Sequence, residues 1–394
     1  MGTTLIINPG SSSKKYAFYK DGKQVLTVVY EKTTEGFAAC VRKNTEQQKC
    51  ENVPDIKYTE TTKSVIASAK ELSIISDEAE IDRVGIRVVA PGEYFFKHRI
   101  IDEDFIKQLR DAQTKAPLHI PAVLEEIGIF RDLLPHALPV AVSDSAFHNT
   151  VSSWKRQYSL KGAEDLGVRK YGYHGLSIAS VSRHYAQVGV RDDAKAVVVH
   201  VGNGVSVVGL DKGESQYTSM GYTPVSGMMM GSRAGDIDPG GLIAVLEEKG
   251  LSGSSAQEFI QTEGGFNGMI GVKDLRSVLH LVANKDIEAI AAFNKFSLEV
   301  AEQIVKAAVA IGGLDAILLT GTAVERNPDL RLKILDHLKW LGVSIDIDIN
   351  DSTHSTNRVI SATDSKLLVA LVPTNEMEEM EIVCQTFPVS SIEN

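Results

Sequence analysis

Apolar positions along this chain fall into short runs separated by small and polar residues. Leu5, Ile6 and Ile7 form the first run. Residues 16–19 and 24–29 form two more, joined across Asp21 and Gly22, and this spacing predicts a strand followed by a hairpin. Residues 83–89 read as a buried strand, 121–130 as a short helix, and 139–142 as a strand running into Ser143 and Asp144. The pattern then restarts. Residues 196–201 and 205–210 are strands around the turn Gly202, Asn203, Gly204, and residues 211–213 turn again. Strand, glycine turn and strand thus occur near residue 5 and again near residue 196, which predicts a structural duplication. Phe293, Phe296, Val300, Ile304, Ala307 and Ile311 recur at helical spacing up to Gly312 and Gly313, and residues 315–319 form a last strand before Thr320 and Gly321. Strands alternating with helices imply an α/β architecture.

The length of 394 residues exceeds one ordinary core and predicts two domains. No apolar run is long enough to span a bilayer. The first residues lack a basic segment and a cleavage site, so no signal peptide is expected, and Gly2 reads as part of a buried first strand. The net charge of −10 argues against a nucleic-acid surface but leaves room for a local cationic site that takes a phosphorylated small molecule. Cys40, Cys50 and Cys384 are odd in number and scattered. They suggest neither a metal site nor a disulfide, and a reducing cytoplasm is expected.

Candidate chemistry starts at Asn8-Pro9-Gly10-Ser11-Ser12-Ser13-Lys14-Lys15. Small residues let the backbone approach an anion, hydroxyls and amides donate to phosphate oxygens, and lysine adds charge; a polar hairpin turn is the plainer alternative. Gly202, Asn203 and Gly204 occupy the equivalent turn of the second half. Arg233 stands among small residues after the run Met228, Met229, Met230. Its planar fork suits carboxylate and phosphoryl oxygens, against the alternative of an ion pair with Asp236 or Asp238. Arg87 lies inside an apolar strand, where a charge must be paired or face a cleft. Asp144 ends a strand, where α/β sheets place ligands, or else caps a helix. His174 sits on the glycine-flanked loop Tyr171-Gly172-Tyr173-His174-Gly175 and is either structural or functional.

Taken together, the segments NPGSSSKK, RKYGYHGLS, HVGNGVS, YTSMGYTP, MMMGSRAGDIDPG and VPTNE, spread from Asn8 to Glu376, resemble the acetate/propionate kinase family of the ASKHA (actin-like and sugar-kinase-like) superfamily. The resemblance implies a two-domain α/β fold with duplicated ribonuclease-H-like cores. An N-terminal domain would span residues 1–147, completed by 377–394, and a C-terminal domain 148–376 would carry the nucleotide site and a homodimer interface. It implies reversible phosphoryl transfer between ATP and acetate, giving acetyl phosphate and ADP, with Mg²⁺ or Mn²⁺. A propionate, butyrate or pyrophosphate-dependent relative and a catalytically silent binding protein are the alternatives. By resemblance, Arg87, Asp144, His174 and Arg233 are catalytic, and Asn8 and Glu376, beside Asp144, serve the metal. Ser11, Ser13, Lys15, His200, Gly202, Asn203, Gly204, Asp274, Leu275, Arg276 and Gly321 bind phosphate or nucleotide. Val89, Leu118, Tyr173 and Pro224, with Arg87, hold the acyl substrate.

Three segments depart from the family pattern. Ala90-Pro91-Gly92-Glu93 stands where the family has His-Gly-Gly-Glu, and His119-Ile120-Pro121 where it has His-Asn-Pro. Thr320-Gly321-Thr322-Ala323-Val324-Glu325-Arg326 replaces Thr-Gly-Gly-Ile-Gly-Glu-Asn. The last change is expected to push side chains toward the adenosine, and Val324 is expected to resist a positive φ.

Overall fold

Short apolar runs buried on both faces form the central strands of two sheets. The computed structural model describes residues 2–389 except 11, 12, 34, 35, 45, 54, 55 and 117–119, and it places nothing of the Thr114 side chain. Ser11 and Leu118, both expected at the site, lie outside the described residues, as do Ser12 and His119. The chain divides into a first unit, Met1–Ala146 with Asn375–Asn394, and a second, Phe147–Thr374. No helix among the described residues is long and apolar enough to cross a membrane.

The first unit holds an eight-stranded sheet. Its strands are β1 (Thr3–Pro9), β2 (Ser13–Lys20), β3 (Lys23–Thr33), β4 (Gly36–Lys43), β5 (Lys49–Val53), β6 (Ile81–Val88), β7 (Arg99–Ile100) and β8 (Leu138–Ser143), in the order β5-β4-β3-β2-β1-β6-β8-β7. β1 runs antiparallel to β2 and parallel to β6, and β6 runs parallel to β8. The β2–β3 turn is the expected hairpin: Asp21 (φ 51°) and Gly22 (φ 76°) both take the left-handed conformation that a two-residue turn of matching twist requires. Successive side chains of β1 face opposite sides. Leu5 and Ile7 join Val65 of helix Thr61–Glu71 and Ile127 and Phe130 of helix Ile120–Leu133 in one core. Ile6 packs toward Gly85, whose missing side chain leaves room for the Cys384 sulfur of helix Glu376–Gln385.

The second unit holds β9 (Lys195–Val201), β10 (Val205–Asp211), β11 (Glu214–Thr218), β12 (Ala316–Thr320), β13 (Arg358–Val359) and β14 (Leu368–Leu371), in the order β11-β10-β9-β12-β14-β13. β9 is antiparallel to β10 and parallel to β12, which is parallel to β14. The segment β3-β2-β1-β6-β8 and the segment β11-β10-β9-β12-β14 therefore share order and sense, and the duplication expected from the glycine turns is present as topology. The helix Ile287–Ile311 covers the second sheet with the expected stripe: Phe296, Val300, Ile304 and Ala307 are buried, and Gly312 ends it.

One expectation fails. Cys40 and Cys50 stand directly opposite each other on β4 and β5, with Cα atoms 4.0 Å apart, and form a disulfide. Their separation of ten residues looked unstructured because it spans a hairpin whose register is not written in the cysteine spacing. Cys384 is free and buried.

Ile304 is fully buried. Ile304→Ala should cost about 2–5 kcal/mol by leaving a cavity under the second sheet, read as a lower midpoint in chemical denaturation.

Candidate functional site

In the first unit, the parallel strands β1, β6 and β8 deliver their C-terminal ends side by side. β6 ends beside Arg87, whose guanidinium is only partly exposed and must find anionic partners. It finds two. Nε and Nη2 lie 3.0 and 2.8 Å from Asp144 Oδ1, just beyond β8, and Nη1 lies 3.0 Å from Glu376 Oε2. Glu376 opens the helix Glu376–Gln385, and the Asn8 amide at the end of β1 donates to the same oxygen at 3.3 Å. Burial by itself would favour loss of the arginine proton; Asp144 and Glu376 more than offset it and raise the pKa. Four predicted residues, Asn8, Arg87, Asp144 and Glu376, thus meet. Arg87 is the buried ion pair that its apolar strand called for, and its partners are themselves candidate site residues. The Asp144 carboxylate is engaged by this guanidinium.

Gly10, in the segment predicted to bind phosphate, follows β1 beside this cluster. Gly10 N–H donates to the Ser13 carbonyl at 2.8 Å, and Lys15 sits across from Asn8 in the β1–β2 register with its side chain exposed. Lys14 points the other way and is buried against Glu126. Of the two lysines, only Lys15 can reach a solvent-borne anion. Val89 follows β6 and is half-buried.

In the second unit, the turn between β9 and β10 is closed by Gly202 N–H donating to the Gly204 carbonyl at 3.0 Å. No side chain fits at Gly204: a Cβ there would lie 2.8 Å from His174 Nε2 and 3.4 Å from Arg233 Nη1. Bare backbone therefore lies against both predicted side chains. His174 has φ 62°, a left-handed conformation that is uncommon for a residue with a side chain, and it precedes helix Gly175–His184. Its ring packs against His200 at a tilt of 44°, with centroids 4.5 Å apart. Its Nδ1 lies 3.0 Å from Ser206 Oγ, and His200 Nδ1 lies 2.8 Å from Ser177 Oγ. Ser177 and Ser206 were not singled out from sequence. Ser177 follows His174 by one helical turn, a spacing visible in the sequence, whereas Ser206 meets His200 through the β9–β10 register.

Arg233 is partly buried. Nη1 donates to the Pro224 carbonyl at 3.2 Å and approaches Met230 Sδ at 3.7 Å. Asp236 and Asp238, the alternative partners, are taken elsewhere: Asp236 accepts from Gly227 N–H at 2.8 Å, and Asp238 caps helix Pro239–Glu248. Among the described residues no carboxylate pairs with Arg233, and burial lowers its pKa with no carboxylate to offset it. The methionine run behind it is core, with Met228, Met229 and Met230 almost fully buried. Tyr173 is buried, and its hydroxyl donates to the Tyr222 carbonyl at 2.7 Å.

Asp274 caps helix Leu275–Ala283 and binds Arg276. The Lys273 carbonyl presses on Gly231, which ties this segment to the Arg233 loop. The altered segment after β12 behaves differently from expectation. Gly321 alone takes a positive φ (93°), and a Cβ there would lie 2.6 Å from the Val201 carbonyl. Thr322–Arg326 is a helical turn in which Val324 is fully buried and has no positive φ. The expected conflict at Val324 does not arise, because the turn points that side chain into the core. Arg331, also buried, donates to the Val324 carbonyl at 2.6 Å and the Glu325 carbonyl at 3.3 Å, and Glu325 accepts from Gly321 N–H at 2.8 Å. Thr322 and Arg326 are the exposed side chains of the turn, and Thr322 Oγ1 is 4.0 Å from where a Cβ on Gly202 would stand.

The Acetokinase family profile matches residues 3–383. A Parabacteroides distasonis acetate kinase is 33% identical over 398 residues, covering 98% of both chains. The crystal structure of Porphyromonas gingivalis acetate kinase superposes with a TM-score of 0.85 at 30% identity, covering 98% of this chain and 99% of that one. A propionate kinase from Francisella tularensis gives 0.89 at 29% identity, covering 98% and 100%.

Two histidines near these clusters, His148 buried and His98 half-buried, are held neutral. His148 Nε2 donates to the Tyr173 carbonyl at 3.0 Å and Nδ1 faces Ser215 Oγ, while His98 Nδ1 accepts from Ser143 N–H at 3.1 Å. Burial pushes both down to about 4, from an ordinary value of 6.5. The unfolded chain takes up these protons below pH 6.5 while the fold refuses them, so stability is full above 6.5 and falls as the pH drops toward 4. Urea midpoints measured across that window should fall, and His148→Gln should make the decline shallower; an unchanged slope in the variant would contradict this account.

Proposed function

This chain belongs to the Acetokinase family, and on that premise we propose that it is an enzyme that moves a phosphoryl group reversibly between ATP and acetate, giving acetyl phosphate and ADP. The observation that carries the reading is Arg233: a guanidinium withdrawn from solvent, with no carboxylate partner among the described residues, held against a side-chain-free glycine turn beside His174. A cation so placed is suited to a transferred phosphoryl group. A carboxylate is already a nucleophile at neutral pH, so the reaction needs no general base. It needs two anions held in line and their charge neutralised.

In this reading, Arg87 and Arg233 hold acetate and the phosphoryl group, and His174, fixed through Ser206, donates to the phosphoryl oxygens. Val89, Leu118, Tyr173 and Pro224 contact the acyl methyl. Ser11, Ser13, Lys15, His200, Gly202, Asn203 and Gly204 take nucleotide phosphates, and Asp274, Leu275, Arg276 and Gly321 lie toward the nucleoside. Asp144 and Glu376, with Asn8 on Glu376, are the hard-oxygen donors that would hold Mg²⁺ or Mn²⁺, and both carboxylates are paired to Arg87 here. The cation supplies charge neutralisation on the nucleotide. The enzyme acts in the cytoplasm, where ATP is available.

We propose a homodimer through the second unit. Helix Pro239–Glu248 has no buried residue, and Ile237, Ile243 and Val245 are 48%, 54% and 41% exposed.

Acyl phosphate trapped with hydroxylamine should appear with ATP and acetate, and GTP, pyrophosphate, propionate and butyrate should be crossed in the same assay. Arg233→Ala and Arg87→Ala should each lower turnover by roughly 10³–10⁵; near-normal turnover in both removes their roles, and no product with any pair removes the enzyme reading. Ile243→Glu with Val245→Glu should convert a dimer into monomers in analytical ultracentrifugation, and a dimer that persists places the interface elsewhere.

A further inference from the structure

Beneath the phosphate loop lies a buried polar cluster to which the reaction gives no role. Lys14 and Glu126 are each 1% exposed, with Nζ 2.5 Å from Oε2. The lysine also donates to the Tyr58 carbonyl at 3.0 Å and to Thr61 Oγ1 at 3.1 Å, so its three protons meet three acceptors. The second Glu126 oxygen accepts from the Thr62 hydroxyl, and the Tyr16 hydroxyl bonds to both Thr61 and Thr62 at 2.7 Å. The ammonium also lies 4.2 Å from the centre of the Tyr58 ring. Four elements meet here: β2, the turn Tyr58–Glu60, and the helices Thr61–Glu71 and Ile120–Leu133.

The cluster has one outlet. The Tyr58 hydroxyl donates to the Gly10 carbonyl at 2.7 Å. Gly10 stands between Asn8 and Ser13, and its N–H is already bonded to the Ser13 carbonyl. Both polar groups of Gly10 are thus fixed, one by the loop itself and one by Tyr58. A carbonyl left uncommitted in an anion-binding turn can swing toward the phosphate and repel it. Tyr58 removes that freedom, and its phenol, pushed up to about 12 by burial with Glu126 and Glu125 nearby, stays an O–H donor at working pH.

We propose that Tyr58 is a positioning residue for the phosphate loop, held in place by the buried Lys14–Glu126 pair, in which Lys14 acts as an internal cation. The proposal rests on reading residues 8–15 as the phosphate end of an acetate kinase.

Tyr58→Phe keeps the ring and removes only the hydroxyl. It should raise KM for ATP roughly five- to twentyfold, the range that loss of one positioning hydrogen bond gives, and leave KM for acetate unchanged. The thermal midpoint should stay within a few degrees of wild type. Lys14→Met combined with Glu126→Leu replaces the pair by apolar groups of similar volume, a change that buried pairs commonly tolerate. It should raise KM for ATP in the same way, and adding Tyr58→Phe to it should bring little further change. Unchanged KM for ATP in Tyr58→Phe, or equal shifts in both KM values, overturns the positioning role. Full additivity of the two sets of changes overturns the link to the ion pair. A wild-type chain that forms no acyl phosphate overturns the functional reading and this inference with it, whereas an active wild type matched by Tyr58→Phe overturns only the inference.

Discussion

A guanidinium taken out of water at the end of a strand must be met by negative charge, and much of the first unit is arranged around that requirement at Arg87. Its partners come from separate places: Asp144 follows β8, and Glu376 begins a helix 289 residues further along the chain. For both to reach one side chain, β1, β6 and β8 must be parallel neighbours that end at the same edge, and the late helix must return to that edge. Arg233 is the counterpart with the opposite solution. It too is withdrawn from solvent, but it rests on a carbonyl and a thioether in place of carboxylates. One arginine is met by two carboxylates of the protein, and the other, among the described residues, by none.

The two halves share a sheet order, and each carries its glycine turn after the first strand. The means of holding those turns differ. At Gly204 an added Cβ would meet the His174 ring at 2.8 Å, and at Gly202 it would lie 3.3 Å from His200 Nε2, so side chains pack closely on the second turn. At Gly10, support comes from below, through a tyrosine hydroxyl seated on a buried ion pair. At this shared topological position, packed side chains contact the backbone in one unit, and a tyrosine hydroxyl holds the Gly10 carbonyl in the other.

The strands were legible because apolar runs and glycine turns are local signals; β1, the Asp21–Gly22 hairpin, β9, β10 and the long helix ending at Gly312 follow directly from them. The duplication was legible as repeated grammar even though side chains differ. Contacts that depend on register were not legible. Cys40 and Cys50 pair because β4 and β5 align them, and nothing in their spacing states that alignment. Val324 was expected to project toward a ligand because a glycine loop served as its reference, whereas the segment is a helical turn, and a helix directs one residue in three or four inward. Lys14 and Lys15 look alike in sequence, and strand alternation sends them to opposite faces, one into the core and one outward.

The return of helix Glu376–Gln385 to the first sheet has a consequence for the birth of the protein. A chain emerging from the ribosome presents its N-terminal residues first. The first sheet can form its hairpins early, but Ile6 and Gly85 wait for the Cys384 helix to cover them, and Arg87 waits for its second carboxylate, until the whole of residues 147–374 has been made. Through that interval the nascent first unit carries an uncovered apolar face and an under-neutralised arginine, which makes it a natural client for a chaperone. Any truncation before residue 376 leaves it in that state permanently.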